Sequence, residues 1–268
     1  MTSDEEGALF VALEIADSLY TNKSVTRQMP REPVFELLNK PDFFNDRLDT
    51  MHGYHWSKLA NKYIDTYPER GLELFELIII HLENWRIMSL KSTSAFHSIA
   101  ERIAKEKPAE TWEIVQSLLA DLDTDLAYGI LQWLGEERDF GEGRGIRPLT
   151  YFPVESVLAW IDGEPETRAP AITRTAPKTL NQEGDGRITR ELLHRYGHMD
   201  RVKSALSGNF YTNGWSGPAS EHYRRNRDKA RAWLNGETSP HVIEWLEKYI
   251  DGLTSQIERE EIREEREF

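Results

Sequence analysis

The sequence contains no cysteine. This excludes disulfide bonds, zinc sites with thiolate ligands and catalysis by a cysteine nucleophile. Long apolar runs are also missing, because LIIIHL at 77–82 is far shorter than the ~20 residues that a membrane-spanning helix requires. The amino-terminal MTSDEEG is acidic, whereas a secretory leader needs a basic start and an apolar run. We therefore expect a cytoplasmic protein without membrane association.

Positive charge is scarce as well. The 33 Lys and Arg residues stand against 46 Asp and Glu, which gives a net charge of −13. Such an excess of acid disfavours binding along a nucleic-acid backbone. Residues 138–231 are the exception, because they hold 16 basic and 12 acidic residues, about +4. A split of this kind is typical of a partner-binding surface that is separate from the solvating one.

What the sequence does contain is helical periodicity. Residues 8–20 place an apolar stripe at i, i+3, i+4 spacing, formed by Leu9, Ala12, Leu13, Ala16, Leu19 and Tyr20. Residues 56–64 show the same pattern, and no convincing strand pattern appears. Eight tryptophans argue against disorder. We predict an all-α fold over 1–268 as a single domain, with a possible subdivision into 1–50, 51–180 and 181–268.

An internal similarity relates residues 56–82 to residues 96–122 at a shift of 40 positions. The aligned pairs include Trp56 with Phe96, Ala60 with Ala100, Tyr63 with Ile103 and Pro68 with Pro108. Each copy predicts a helix, a break that is closed by proline in the first turn of the next helix, and a second apolar helix. A weaker third copy begins at 154, with Val157, Ile161, Pro165, Ala169, Ile172 and Ala176.

A helix-pair repeat of about 40 residues resembles the HEAT and armadillo superfamily. The resemblance covers residues 50–180 well and the remainder loosely. It implies a right-handed solenoid of helix pairs, with irregular loops and a C-terminal helical hairpin. The alternative is that the two segments match by chance, because any two neighbouring amphipathic hairpins share helical periodicity. This alternative stays open.

The C-terminal region predicts two helices. The first runs from about Pro218 to Leu234 and is closed by Asn235–Gly236, a usual left-handed stop. The second begins with Ser239 as cap and Pro240 in the first turn. This ending resembles the final helical pair of bacterial conflict and defence proteins that end in HEAT-like arrays. The resemblance implies a module that recognises or scaffolds.

Two patterns come close to metal sites. NQEGDGRITREL (181–192) resembles a calcium loop, but Glu191 stands eleventh where a bidentate Glu is needed twelfth. His194 and His198 have i, i+4 spacing, but Gly197 between them indicates that the helix ends there. We therefore predict no metal and no cofactor, with a polar loop and capping or core histidines as the simpler interpretation.

The best candidate for a binding surface is HYRRNRDKARAW with the tryptophan that precedes it. The predicted partner-binding residues are Trp215, Tyr223, Arg224, Arg225, Arg227, Lys229 and Arg231. Arginine forks suit carboxylate or phosphate groups. The simpler interpretation is that these arginines neutralise the acidic C-terminal helix.

No P-loop, nucleophile elbow or dinucleotide fingerprint occurs, so we predict no catalytic residues, although an enzyme of unfamiliar type stays open. The main hypothesis is a non-enzymatic helical-repeat scaffold that binds another protein, in a bacterial defence or other multiprotein system. The alternative is a nucleic-acid-binding repeat that resembles the HEAT-like DNA glycosylases or an effector-associated protein.

Overall fold

The computed structural model describes residues 3–22, 28–44, 50–82, 90–136, 138–139, 145–181, 186–211 and 218–266. The α-helices are α1 (Ser3–Thr21), α2 (Arg31–Leu38), α3 (Thr50–Thr66), α4 (Gly71–Ile80), α5 (Leu90–Glu106), α6 (Pro108–Leu118), α7 (Asp125–Gly135), α8 (Val154–Asp162), α9 (Pro165–Thr175), α10 (Arg187–Tyr196), α11 (Asp200–Tyr211), α12 (Ala219–Leu234) and α13 (Pro240–Arg266). Short 3-10 helices occupy Pro41–Phe44, Pro68–Arg70 and Pro148–Tyr151.

The prediction of an all-α protein is confirmed at the level of fold class. The exception is a two-residue antiparallel ladder, in which β1 (Arg138–Asp139) pairs with β2 (Gly145–Ile146). Both strands lie in the segment 135–148, which contains four glycines. None of the described helices combines the length and the apolarity that crossing a membrane requires.

The chain forms two compact units. Unit 1 comprises Met1–Trp133 with Tyr151–Pro153, and unit 2 comprises Leu134–Thr150 with Val154–Phe268. The boundary therefore falls within α7, whereas the sequence suggested subdivisions near residues 50 and 180. The prediction of a single domain stays a prediction.

In unit 1, α1, α3 and α5 lie side by side, because α3 packs against both of the others. Polar contacts between them join residues at a nearly constant sequence separation. His55 bonds to Asp17, 38 positions earlier, and Arg102 bonds to Asn61, 41 positions earlier. Glu14 faces His52 three positions before the Asp17–His55 pair, so residue numbers increase together along the two helices. Helices α1 and α3 are therefore parallel.

The residues aligned in the sequence occupy the contact between α3 and α5. The rings of Trp56 and Phe96 meet edge to face, with centroids 4.6 Å apart. Ala60 and Ala100 are fully buried. A methyl group at each of these positions leaves room for close packing between large side chains, which protein interiors need to reach their normal density.

Proline begins the second element of three helix pairs, at Pro68, Pro108 and Pro165. The missing N–H costs nothing there, because the first turn of a helix has no acceptor for it. The preceding residues have similar backbone dihedrals: Tyr67 (φ −131°, ψ 66°), Lys107 (φ −136°, ψ 61°) and Glu164 (φ −157°, ψ 68°). The three turns are therefore built alike.

Unit 2 contains the predicted C-terminal hairpin. Ser220 of α12 bonds to Glu264 of α13, and Arg224 pairs with Glu261, so α12 and α13 are antiparallel. Their core also takes in α10 and α11, through Leu193, Leu206, Phe210, Trp233, Trp245, Leu246 and Tyr249. Helix α11 continues through Gly208 to Tyr211.

The left-handed stop predicted at Asn235–Gly236 is wrong. Asn235 is right-handed, with φ −59° and ψ −21°, and Gly236 has no positive φ. Helix α12 instead ends in a tight turn in which Gly236 N–H bonds to the Trp233 carbonyl at 3.3 Å. The carboxylate of Glu237 then accepts the indole N–H of Trp233 at 2.8 Å and stabilises this turn.

The buried alanine at the α3–α5 contact generates a stability prediction. Ala60→Leu adds three heavy atoms to a fully packed position and should lower the free energy of unfolding by about 1–3 kcal/mol. Ala109→Leu at an exposed position of α6 is the matched control and should change it by less than about 0.5 kcal/mol. Urea unfolding measures both, and equal stability of the two variants would contradict the packing described for α3 and α5.

Candidate functional site

Four large apolar side chains are exposed on α1 and α3 of unit 1. Val11 is 53% exposed, Ile15 54%, Met51 60% and Tyr54 57%. Single exposed apolar residues are normal, but four on two neighbouring parallel helices form a concentration that soluble proteins generally use for binding. We call these four residues the α1–α3 surface.

The outward direction of Val11 and Ile15 follows from the geometry of α1. Leu13 is fully buried, and Val11 and Ile15 lie two residues before and two residues after it. Because each residue turns an α-helix by about 100°, both side chains point about 160° away from that of Leu13. Ala8 and Ala12 are exposed near them. Helix α1 is therefore apolar on both sides, and Ala12, which the sequence pattern assigned to the inner stripe, belongs to the outer one.

Asp17 reinforces the orientation of α1 against α3. Its carboxylate is 3% exposed and accepts the hydroxyl of Thr21 at 2.6 Å. It also contacts His55 Nδ1 at 2.7 Å and Lys58 Nζ at 3.3 Å, both on α3. A buried carboxylate is stable only when donors surround it, so these contacts hold α1 in one rotation against α3.

Charged and aromatic groups border the α1–α3 surface. The ring of His52 stacks on Phe10 with centroids 4.0 Å apart, and its Nε2 lies 3.9 Å from Glu14. Lys58 Nζ lies 6.0 Å from the centre of the Tyr54 ring. Polar side chains thus lie beside the apolar ones, and protein-binding surfaces combine both kinds.

The arginine-rich helix predicted to bind a partner is α12, and the structure divides its cations into two sets. Arg224 pairs with Glu261 of α13, and the half-buried Arg227 lies 3.6 Å from Asp228. Arg224 therefore neutralises part of the acidic C-terminal helix, as the simpler interpretation of the sequence proposed, whereas Arg227 contacts a carboxylate of its own helix. Tyr223 packs against the core of the hairpin, and burial, followed by the nearby Glu260, raises its pKa.

The second set on α12 is exposed. Arg225 contacts Glu221, one turn earlier, at 3.7 Å, and has no other ion pair among the described residues. Lys229 and Arg231 are exposed and have no ion pair or hydrogen bond among the residues that the structure describes. Trp215 lies outside the described residues. Three of the seven predicted residues are therefore available to a partner.

The histidines do not form a metal site in the described part of the chain, where no group of three or more His, Asp or Glu residues has suitable placement. Helix α10 ends at Tyr196, as Gly197 indicated. His194 faces Glu237 at 3.1 Å, and the ring of His198 lies 6.1 Å from that of His241. Of the calcium-like loop, residues 182–185 lie outside the described residues.

Glu237 is the centre of a buried polar cluster that the sequence did not reveal. Its side chain is 6% exposed. One oxygen accepts the N–H groups of Thr238 and Ser239 at 2.8 and 2.9 Å. The other contacts the Trp233 indole at 2.8 Å and His194 at 3.1 Å. Burial alone would raise the pKa of Glu237, but these donors hold it below the ordinary value.

A second buried group that sequence reasoning missed is Arg147. Its guanidinium donates to the carbonyl of Thr175 at 3.1 Å, to the carbonyl of Ala176 and to Asn209 Oδ1 at 3.3 Å. A cation at the carboxyl end of α9 is favoured, because the helix dipole is negative there. Arg147 therefore stabilises the end of α9, and it is not available to a ligand.

A polar groove of 490 Å³ lies between α11 and α13. Its charges neutralise one another, because Lys203 lies 3.2 Å from both Asp200 and Glu244, and Lys248 lies 2.6 Å from Glu244. Trp245 donates its indole N–H to Ser207 at 3.1 Å. This groove has the features of a helix contact that is stabilised by ion pairs.

No family model matches this sequence, and no curated protein or solved structure is significantly similar to it. Function must therefore be inferred from the geometry of the chain itself.

The lowered pKa of Glu237 predicts how unit 2 responds to acid. The folded carboxyl is a stronger acid than the unfolded one, so its stabilisation is complete well above pH 4.5 and is lost as the pH falls through the folded pKa. Glu237→Gln should lower the free energy of unfolding at pH 7 by about 1 kcal/mol and should reduce the loss of stability between neutral and acid pH.

The matched control is Glu247→Gln, an exposed glutamate on α13. Urea unfolding at neutral and acid pH measures all three proteins, and Glu247→Gln should behave like the parent chain. A Glu237→Gln protein that retains the full pH dependence of the parent would contradict the role assigned to this carboxylate.

Proposed function

We propose that this chain is a non-enzymatic helical-repeat module of the HEAT and armadillo type that binds another protein. The observation that carries the proposal is the α1–α3 surface, where Val11, Ile15, Met51 and Tyr54 are each more than half exposed. Exposed apolar area of this kind is favourable to bury, at about 25 cal/mol per Å². A role in a bacterial defence or other multiprotein system is part of the same proposal.

The repeat architecture is supported by the packing of unit 1. Helices α1, α3 and α5 lie in one layer, and contacts such as Asp17–His55 and Asn61–Arg102 recur at separations of 38 and 41 residues. The alike turns before Pro68, Pro108 and Pro165 support it further. We propose that these helices form part of a right-handed solenoid, as the resemblance to the HEAT and armadillo superfamily implies.

The proposed occupant of the α1–α3 surface is an amphipathic helix of the partner protein. Helix α3 has a neighbouring helix on each side, α1 and α5. A partner helix that contacts Val11 and Ile15 of α1 together with Met51 and Tyr54 of α3 would lie across both helices. Val11 and Ile15 stand one turn apart, which is the spacing that ridges of a second helix pack against. The exposed Ala8 and Ala12 would let that helix approach closely.

The exposed cations of α12 offer a second contact, for an acidic surface of a protein partner. Arg225, Lys229 and Arg231 have the charge for it, and the net charge of −13 disfavours a nucleic-acid backbone as the ligand. The nucleic-acid alternative rests on the same three side chains and is tested separately below.

A photoreactive benzoylphenylalanine at position 15 tests the α1–α3 surface. In extracts of the native host, it should cross-link one protein, through residues of an amphipathic helix that mass spectrometry identifies. Val11→Ser with Ile15→Ser should then weaken the affinity for that protein about tenfold or more, because each buried aliphatic side chain contributes ~1.5–3 kcal/mol. Folding should be preserved, since both side chains are exposed.

The matched control carries the same photoreactive residue at Glu113, an exposed position of α6. Equal cross-linking of the same protein from both positions would contradict the proposed surface. Cross-links solely to a second copy of this chain would contradict a helix supplied by another protein.

The fluorescence anisotropy of a labelled DNA duplex distinguishes the two candidate partners of α12, an acidic protein surface and a nucleic acid. With a protein partner, no saturable binding is expected at micromolar protein and physiological salt. Salt-dependent binding that Arg225→Glu with Lys229→Glu abolishes would instead favour the nucleic-acid alternative. Glu247→Lys at an exposed position of α13 controls for the change in net charge.

A further inference from the structure

A second groove, which shares Asp200 and Ser204 with the first, has a different charge character. It has a volume of 420 Å³ and is lined by Arg174 of α9 and by Asp200, Arg201, Ser204 and Ala205 of α11. Arg174 lies in the last turn of α9, and Arg201 is the second residue of α11. Two arginines from different helices therefore line one groove.

Neither arginine has a partner among the residues that the structure describes, and the same holds for the hydroxyl of Ser204. This contrasts with the arginines on many other helices of this acidic chain, such as Arg102, Arg187 and Arg195, which pair with carboxylates. Five N–H donors on each guanidinium and one hydroxyl are thus left for a ligand.

The position of Arg201 adds an independent electrostatic argument. The first turn of a helix carries a positive partial charge, so a cation is disfavoured there and an anion is favoured. Arg201 is therefore placed where the helix dipole does not favour a cation and where an anionic ligand of its guanidinium would be favoured.

Among the described residues, Asp200 is the one carboxylate that lines this groove, and it also lines the groove between α11 and α13. It is 94% exposed and lies 3.2 Å from Lys203. Its charge is thus already partly neutralised by Lys203. It weakens an anion site without filling it.

We propose that Arg174, Arg201 and Ser204 form a binding site for a phosphate monoester. Arginine forks match the oxygens of a tetrahedral phosphate in paired hydrogen bonds, and a serine hydroxyl adds a further donor. The monoester is either a small phosphorylated molecule or a phosphorylated side chain of a partner. This site is independent of the α1–α3 surface and would operate whether or not that surface binds a helix.

Nuclear magnetic resonance of the full chain tests the site with two defined ligands, inorganic phosphate and a neutral pentapeptide that carries phosphoserine. The amide signals of Ser204 and Ala205 should shift and saturate at about 10 mM ligand or below, the affinity range of one phosphate contact. Equal affinities would assign a small phosphorylated molecule, and a preference for the peptide would assign a phosphorylated side chain.

Arg174→Gln and Arg201→Gln should each weaken binding about tenfold, because a charge-assisted hydrogen bond is lost. Asp200→Asn should strengthen it about threefold by removing the opposing charge. Arg259→Gln, an exposed arginine of α13 that has no partner among the described residues, makes the same change in net charge and should leave binding unchanged.

Three results would overturn the proposal. The first is that neither ligand shifts the Ser204 and Ala205 signals. The second is that Arg259→Gln weakens binding as much as Arg174→Gln does, which would indicate a general charge effect. The third is that a DNA duplex binds more tightly than the phosphopeptide through the same arginines, which would indicate a site for a polyanion.

Discussion

The buried carboxylate of Asp17 is the interaction on which the exposed surface of unit 1 depends. Helix α1 has apolar residues on both of its sides, and the more apolar side, with Leu13 and Ala16, faces the core. Asp17 reinforces this orientation, because its oxygens receive Thr21, His55 and Lys58 in the rotation that the structure adopts. A half-turn of α1 about its own axis would break these contacts. It would also bury Val11 and Ile15 and expose the residues that now face the core.

Polar contacts elsewhere in the chain distinguish two kinds of charged residue. Some are held by other groups of the protein, and others are free to contact a ligand. Arg147 donates to backbone carbonyl groups, and Arg224 pairs with Glu261. Glu237 accepts hydrogen bonds from several donors. Such groups stabilise helix ends and the α12–α13 hairpin. Exposed Arg225 and Lys229, and Arg174 and Arg201 in their groove, have no comparable contacts in the described part of the chain. Few of the charged residues are therefore candidates for binding a ligand.

Local pattern was sufficient to predict the helices. The stripes around Leu13 and Trp56, and the prolines at 68, 108 and 165, predicted elements that the structure contains, because periodicity and first-turn proline act within a few residues. The buried Ala60 and Ala100 followed from the alignment of the two copies in the same way. The end of α12 was predicted wrongly, since Glu237 stabilises it by contacts that the Asn235–Gly236 pair does not indicate.

The candidate site was harder to predict, because it depends on contacts between distant residues. Arg224 and Arg225 are neighbours in the sequence, and only the position of Glu261, 37 residues later, separates their roles. The outer face of α1 was hidden for a similar reason. The spacing placed Ala12 on the inner stripe, and its exposure follows from the way α1 packs on α3.

Hydrogen–deuterium exchange of the chain with and without its protein partner tests the central claim most directly. If a partner helix packs on the α1–α3 surface, binding slows exchange in α1 and in the first half of α3, around Val11, Ile15, Met51 and Tyr54. The other helices of unit 1 should keep their rates. Protection that appears elsewhere while α1 exchanges as in the free chain would contradict the account.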